Sequence, residues 1–164
     1  MATTKKSVLI LAIILICIVF DQSSKFLAKE YLQSANTIAF LHDTFRLHYT
    51  ENTGALLSFG ESLSENARFW IFIVFVFLML IALIIYAHTI SLHFRIKITG
   101  LSLIAGGGIS NLIDRIYNNG AVIDFMNLGI GSVRTGIFNV ADFLILLGIA
   151  TVLIFHSHKS GNIN

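Results

Sequence analysis

The chain has no proline and one cysteine among its 164 residues. Without proline, no helix is obliged to kink at one. With Cys17 alone, no internal disulfide can form, and no Cys/His cluster has the spacing of a zinc site. The six histidines are scattered, so neither metal nor cofactor is expected. Charge is scarce as well. Charged residues make up 12% of the chain and hydrophobic ones 55%, whereas about a quarter of a soluble domain is charged. With a mean hydropathy of +0.81, the composition is that of an integral membrane protein. A formal net charge of only +2 gives no reason to expect a nucleic-acid partner.

A membrane-spanning helix needs about 20 mostly apolar residues. Residues 69–87, "FWIFIVFVFLMLIALIIYA", carry no charge. Residues 137–155 are interrupted only by Asp142, and residues 98–113, "ITGLSLIAGGGISNLI", end at Asp114 and Arg115. The first apolar run, residues 7–20, is short and reaches spanning length only by continuing through "DQSSKFLA". Lys5 and Lys6 ahead of it also fit a cleaved secretory signal, and Cys17 invites a lipoprotein signal. The bulky Ile16 precedes that cysteine, however, and no A-x-A site follows, so the first helix is expected to stay. Four spans result, approximately 7–28, 67–87, 96–115 and 137–156, in one domain covering 1–164.

Charge orients them. Lys5 and Lys6, Arg95 and Lys97 in the short loop after the second span, and Lys159 in the tail stand in segments with no acid. All nine acids, Asp21, Glu30, Asp43, Glu51, Glu61, Glu65, Asp114, Asp124 and Asp142, fall toward the other side. Positive residues stay cytoplasmic, so both termini are expected inside and every acid in or beyond the outer half of the membrane. The expected fold is an all-α membrane protein with four transmembrane helices. A small outer β-structured segment lies between helices one and two, and a lid-like outer loop between helices three and four. In the first outer segment "FRLHYT" alternates like a half-buried strand, "ENTG" is a turn and "ALLSF" a returning strand. In the second, a turn at Asn118-Asn119-Gly120 precedes a strand-like piece over 121–128, with Gly129, Gly131 and Gly136 making the rest pliable. Ser62 and Glu65 have capping-box spacing ahead of span two. The small residues of span three, Gly100 to Ser110, suit close helix packing.

Ionisable groups in a bilayer are costly and face a bundle interior or a wet cavity. Asp21 and Lys25, four apart, fit a helix-end salt bridge. Asn111 shares a face with Asp114 and Arg115, the arginine pairing an acid or meeting headgroups. Asp124 sits amid Val, Ile, Phe and Met on a strand-like piece. Asn139 and Asp142 repeat the N-x-x-D spacing of Asn111 and Asp114. Because spans three and four run in opposite directions, Asn111 and Asp142 reach similar depth, with Asp142 about a turn and a half inside the outer end of its helix. Two carboxyls in a low-dielectric site cannot both ionise. One can then take a proton from water while the other donates to a carbonyl oxygen, which is chemistry that hydrolyses amides. The spacing leaves open which two of Asp21, Asp114, Asp124 and Asp142 pair, though Lys25 and Arg115 neutralising their neighbours favours the last two. A proton- or ion-coupled transporter is the rival, but it needs acids along a path across the membrane, and the inner halves of the spans carry none.

Taken together, "DQSSK", "ENTGA", "GGGISNLIDRI", "GAVIDF" and "FNVAD" resemble the lipoprotein signal peptidases, the signal peptidase II family, in family order over nearly the whole chain. The resemblance implies an aspartyl peptidase of the bacterial cytoplasmic membrane, with its site toward the outer side. It would cleave prolipoproteins before a cysteine carrying diacylglycerol, and globomycin-type inhibitors would block it. It places a catalytic dyad on Asp124 and Asp142 and supporting residues on Asp21, Lys25, Asn52, Asn111, Asp114, Arg115 and Asn139. It also implies an outer β-structured cradle around "ENTGA" and a short closing helix in the loop before Asp124. The chain departs from the family pattern at Leu56-Leu57 and at Ser110, not at the dyad.

Overall fold

The structure, a computed structural model, describes residues 2–54, 60 and 62–157. The run "ALLSF", expected as a returning strand, and the Leu56-Leu57 departure lie outside the described residues. Helix α1 (Ala2–Leu32) has 31 residues, about 46 Å at 1.5 Å per residue. No proline or glycine interrupts it from Ser7 onward, so it runs unbroken through "DQSSK". Helix α2 (Glu65–Thr89) starts two residues from the expected cap. Ser62 is held in a turn closed by the Leu63 N–H on the Gly60 carbonyl. Ser64 caps instead, its extended backbone letting the hydroxyl accept from the Ala67 N–H at 3.3 Å. Residues Phe69–Phe75 of α2 form a π-helical stretch, which buries Phe72. One 3₁₀ turn (Leu92–Phe94) leads into α3 (Arg95–Tyr117), and α4 (Val140–Ser157) completes the bundle.

Three of these helices are long and apolar enough to cross a membrane, and α4 is a shorter apolar helix. Their large apolar side chains point outward, Phe20, Phe26, Phe77 and Leu153 all being more than half exposed, as a lipid-facing surface requires. The interior is built from small residues on α3. A side-chain carbon added at Gly106 would lie 2.6 Å from Cys17 Cβ of α1, and one at Gly107 would lie 2.6 Å from the Ala141 carbonyl of α4. Neighbouring positions on one helix thus let two different helices approach to backbone distance. Below them Ile10, Ile14, Ala87, Ile98, Leu101 and Ala105 form an apolar cluster. At that end Lys6 donates to the carbonyls of His88 and Ile90 (2.9 Å for Ile90), a cation on the C-terminal end of α2.

The segments between the first and second and between the third and fourth helices join in one antiparallel sheet, order β1-β2-β3-β4, so the chain is mostly rather than entirely helical. Strands β1 (Ile38–Phe40) and β2 (Phe45–Asn52) come from the first segment, β3 (Val122–Ile130) and β4 (Val133–Arg134) from the second. The segment expected as a pliable lid is therefore sheet. Its backbone groups are taken up by β2, with Thr50 opposite Asp124 and Asn52 opposite Val122. Residues 118–120 before it are a turn, not a short helix, since Asn119 and Gly120 both take positive φ. Ile123 and Phe125 pack on Ala28 and Leu32 of α1, which anchors the sheet over the end of the bundle opposite Lys6.

Candidate active site

The site begins with a buried ammonium. Lys25 is 1% exposed and donates to Asp21 Oδ2 at 2.7 Å, Asp114 Oδ2 at 2.9 Å and Asn111 Oδ1 at 2.8 Å. All three of its N–H groups are used. The expected Asp21–Lys25 pair thus exists, but as an interior joint between α1 and α3 rather than a helix-end salt bridge. Asp114 also accepts from the Ile123 N–H at 3.0 Å, fixing the start of β3. Asp21 Oδ1 accepts from the Ala141 N–H at 2.7 Å, capping the first turn of α4.

Asp124 and Asp142 stand apart from these charges, and neither forms a salt bridge among the described residues. Instead, three asparagines from three elements hold them. Asn139 Nδ2 donates to Asp124 Oδ1 at 2.7 Å and Asn52 Nδ2 to Asp124 Oδ2 at 3.0 Å. Asn111 Nδ2 donates to Asp142 Oδ1 at 2.9 Å, and the Asn139 N–H to Asp142 Oδ2 at 3.1 Å. Asn139 Nδ2 also reaches Asn111 Oδ1 at 3.1 Å, joining the two halves. The β-bridge between Met126 and Phe138 brings Asn139 beside Asp124. Asp142 lies in the first turn of α4, not a turn and a half inside it, because Asn139 is the residue that caps the helix.

Both carboxyls line one cavity of about 190 Å³, together with Asn52, Asn111, Arg115, Val76 and Ile137. A larger cavity of about 660 Å³ lies beyond Arg115, along α2, and touches neither carboxyl. Burial pushes the Asp124 carboxyl up to about 6. The hydrogen bond from Asn52 opposes the shift, and the neighbouring Asp142 charge adds to it. Arg115 stands at the edge of the network. Among the described residues it pairs with no acid, but donates to the Gly54 carbonyl at 2.7 Å and lies 5.5 Å over the Phe72 ring. The π-helical stretch of α2 supplies that ring.

The family described as Signal peptidase (SPase) II matches residues 13–158. The chain belongs to the signal peptidase II family. It is 34% identical over 161 residues to the lipoprotein signal peptidase of Borreliella burgdorferi (strain B31), spanning 94% of this chain and 92% of the relative. To that of Halalkalibacterium halodurans (strain C-125) it is 31% identical over 140 residues, 85% and 86% of the two chains. The fold matches that of a bacterial membrane enzyme solved by the in meso method at 2.3 Å, with a TM-score of 0.80 at 24% identity over 94% and 91% of the chains. A second such enzyme, solved at 1.9 Å, gives 0.75 at 23% identity. A member of the signal peptidase II family is a peptidase, and the chain is a multi-pass membrane protein.

Two polar residues of the network escaped the sequence reading. Ser110 is fully buried and donates to Asp21 Oδ2 at 2.8 Å. Gln22 Nε2 donates to Asp114 Oδ1 at 2.8 Å and to Ser110 Oγ at 3.1 Å. The available signal was a cluster of polar residues, Gln22 beside Asp21 and Ser110 beside Asn111, inside otherwise apolar helices.

Proposed function

We infer that this chain is an aspartic endopeptidase that removes the signal peptide from diacylglyceryl-modified prolipoproteins. It cleaves before the lipidated cysteine at the outer side of the bacterial cytoplasmic membrane. In this reading the chain is a single domain of four spans with both termini cytoplasmic. Asp124 and Asp142 form the dyad, and Asp21, Lys25, Asn52, Asn111, Asp114, Arg115 and Asn139 support it. Globomycin-type inhibitors would occupy the same cavity. One observation carries the reading: two carboxyls that form no salt bridge among the described residues line one cavity, and an asparagine amide or backbone N–H holds each of their four oxygens.

The chemistry follows from sharing one proton. The ionised carboxyl takes a proton from water as the water oxygen attacks the scissile carbonyl carbon, and the neutral carboxyl gives its proton to the carbonyl oxygen. The resulting gem-diol returns a hydroxyl proton to the carboxyl that had donated, the C–N bond breaks, and the proton taken from water passes to the departing amine. The pair titrates as a unit. Substrate helix and acyl chains arrive through lipid, past the exposed apolar faces of the helices.

Protein purified in detergent should cut a diacylglyceryl-modified precursor and cut its unlipidated form poorly. Both Asp124→Asn and Asp142→Asn should abolish cleavage. Full activity in either variant, or equal cutting of both precursors, overturns the reading.

A further inference from the structure

A second polar cavity, about 390 Å³, opens on the sheet beside the carboxyl cavity, and the two share Ile137 as a wall. Its other walls are Thr37, Arg46, His48, Asn127 and Arg134. Two arginines therefore face one space. Among the described residues the one acid paired with them is Asp43, which takes a two-point hydrogen bond from Arg46 at 2.6 and 2.5 Å and lies 3.7 Å from Arg134. One carboxylate against two guanidiniums leaves the pocket with a positive charge. Arg134 is built in rather than dangling: its side chain is 12% exposed and donates to Asn127 Oδ1 at 2.5 Å and to the Asp43 carbonyl at 2.8 Å. His48, exposed at the rim, is steered by Thr37 Oγ1 at 2.9 Å.

Position gives the pocket a meaning. Asn127 lies three residues along β3 from Asp124, roughly 10 Å at about 3.3 Å per residue. An extended peptide leaving the dyad covers that distance in about three residues. The signal-peptide side of a precursor is apolar and stays in lipid, so the chain that emerges over the sheet is the polar one after the cysteine.

We propose that this pocket is a specificity subsite for the mature side of the substrate, where Arg46 and Arg134 favour an acidic residue two to four positions after the cysteine. This rests on the peptidase reading above and deepens it. A cationic wall one step from the reacting bond selects among substrates through electrostatic complementarity, without touching the bond itself.

The test uses the full chain in detergent and a set of diacylglyceryl-modified precursors that differ only in carrying Glu, Ser or Lys at these positions. kcat/KM should run Glu above Ser above Lys, with about a three- to tenfold ratio between the extremes, as befits solvent-accessible charge pairs. The ratio should shrink with added salt and fall toward one in Arg46→Gln and in Arg134→Gln, each read as a ratio so that a change in overall rate does not enter. Equal rates for Glu and Lys precursors in the parent overturn the proposal and leave the peptidase reading standing. So does a ratio that survives in both variants. A parent that cuts none of the precursors overturns both. If the arginines instead hold an anionic lipid headgroup, added phosphatidylglycerol raises cleavage of all three precursors alike, the ratio stays at one, and the proposal fails.

Discussion

Asn139 and Asp142 cap each other. The Asn139 Oδ1 accepts from the Asp142 N–H at 2.9 Å, and Asp142 Oδ2 accepts from the Asn139 N–H at 3.1 Å. This is the reciprocal arrangement of a capping box, built here with N-x-x-D and one of the two proposed reactive carboxyls. The same side chain therefore starts α4 and faces the cavity.

Chemistry and capping separate by substitution at that position. Asp142→Asn keeps an oxygen for the Asn139 N–H, so it should lose activity while melting close to the parent. Asp142→Ala loses activity and the cap together, and should be less stable by about a further 1 kcal/mol. Thermal melts in detergent, run beside the precursor assay, check both.

Stability should depend on pH through Asp124. Its carboxyl goes from an ordinary 3.8 up to about 6 in the fold, burial being the main cause. Between those values the folded chain binds more protons than the unfolded one, so this residue's contribution falls as pH rises from about 4 to 6 and stays at its lower level above. The total is of order 1–3 kcal/mol. In Asp124→Asn that dependence vanishes. Its melting temperature relative to the parent should rise across this window and level off by pH 7.

Lys25→Met should be among the most damaging changes. It leaves the Asp21 and Asp114 carboxylates buried with no cation between them, and removing one member of a buried charge network costs about 3–5 kcal/mol. The variant should fail to accumulate as folded protein. Adding Asp21→Asn and Asp114→Asn to it should recover folded protein in part, since an asparagine at position 21 keeps an oxygen for the Ala141 N–H.

Gly107→Ala tests the seam between α3 and α4. The added carbon would meet the Ala141 carbonyl, whose residue directly precedes Asp142. Overpacking of this kind costs about 1–3 kcal/mol. A shift of about 1 Å in a reacting group costs about a hundredfold in rate. Cleavage should fall well beyond what the melt accounts for.

Much of this was legible in the sequence. The helices follow from apolar length, and Asp124 and Asp142 were favoured as the unpaired acids because Lys25 and Arg115 would neutralise their neighbours; in the structure Lys25 alone pairs with both Asp21 and Asp114. Asn111 and Asp142 meet as their depths in opposed helices required. The strands over 45–50 and 121–128 were legible, but their joining in one sheet was not. Thr50 pairs with Asp124 across 74 positions of chain, and periodicity reveals a strand without naming its partner. The depth of Asp142 was misjudged because hydropathy runs through 137–139, whereas the helix starts where Asn139 can satisfy its first N–H groups. Arg115 was expected to pair with an acid or to meet headgroups, and among the described residues it pairs with no acid. The π-helical stretch, which hydropathy does not register, set Phe72 beneath it instead.

The buried network around Lys25 holds two carboxylates and one ammonium, and it does not balance on side chains alone. The missing positive charge comes from backbone. Asp21 lies against the Ala141 N–H, at a helix end that carries about half a unit of positive charge. Asp142 occupies the same first turn. Asp21 from α1 and Asp142, the proposed reactive acid on α4, therefore draw on one backbone field, and a change in the charge of either is felt by the other.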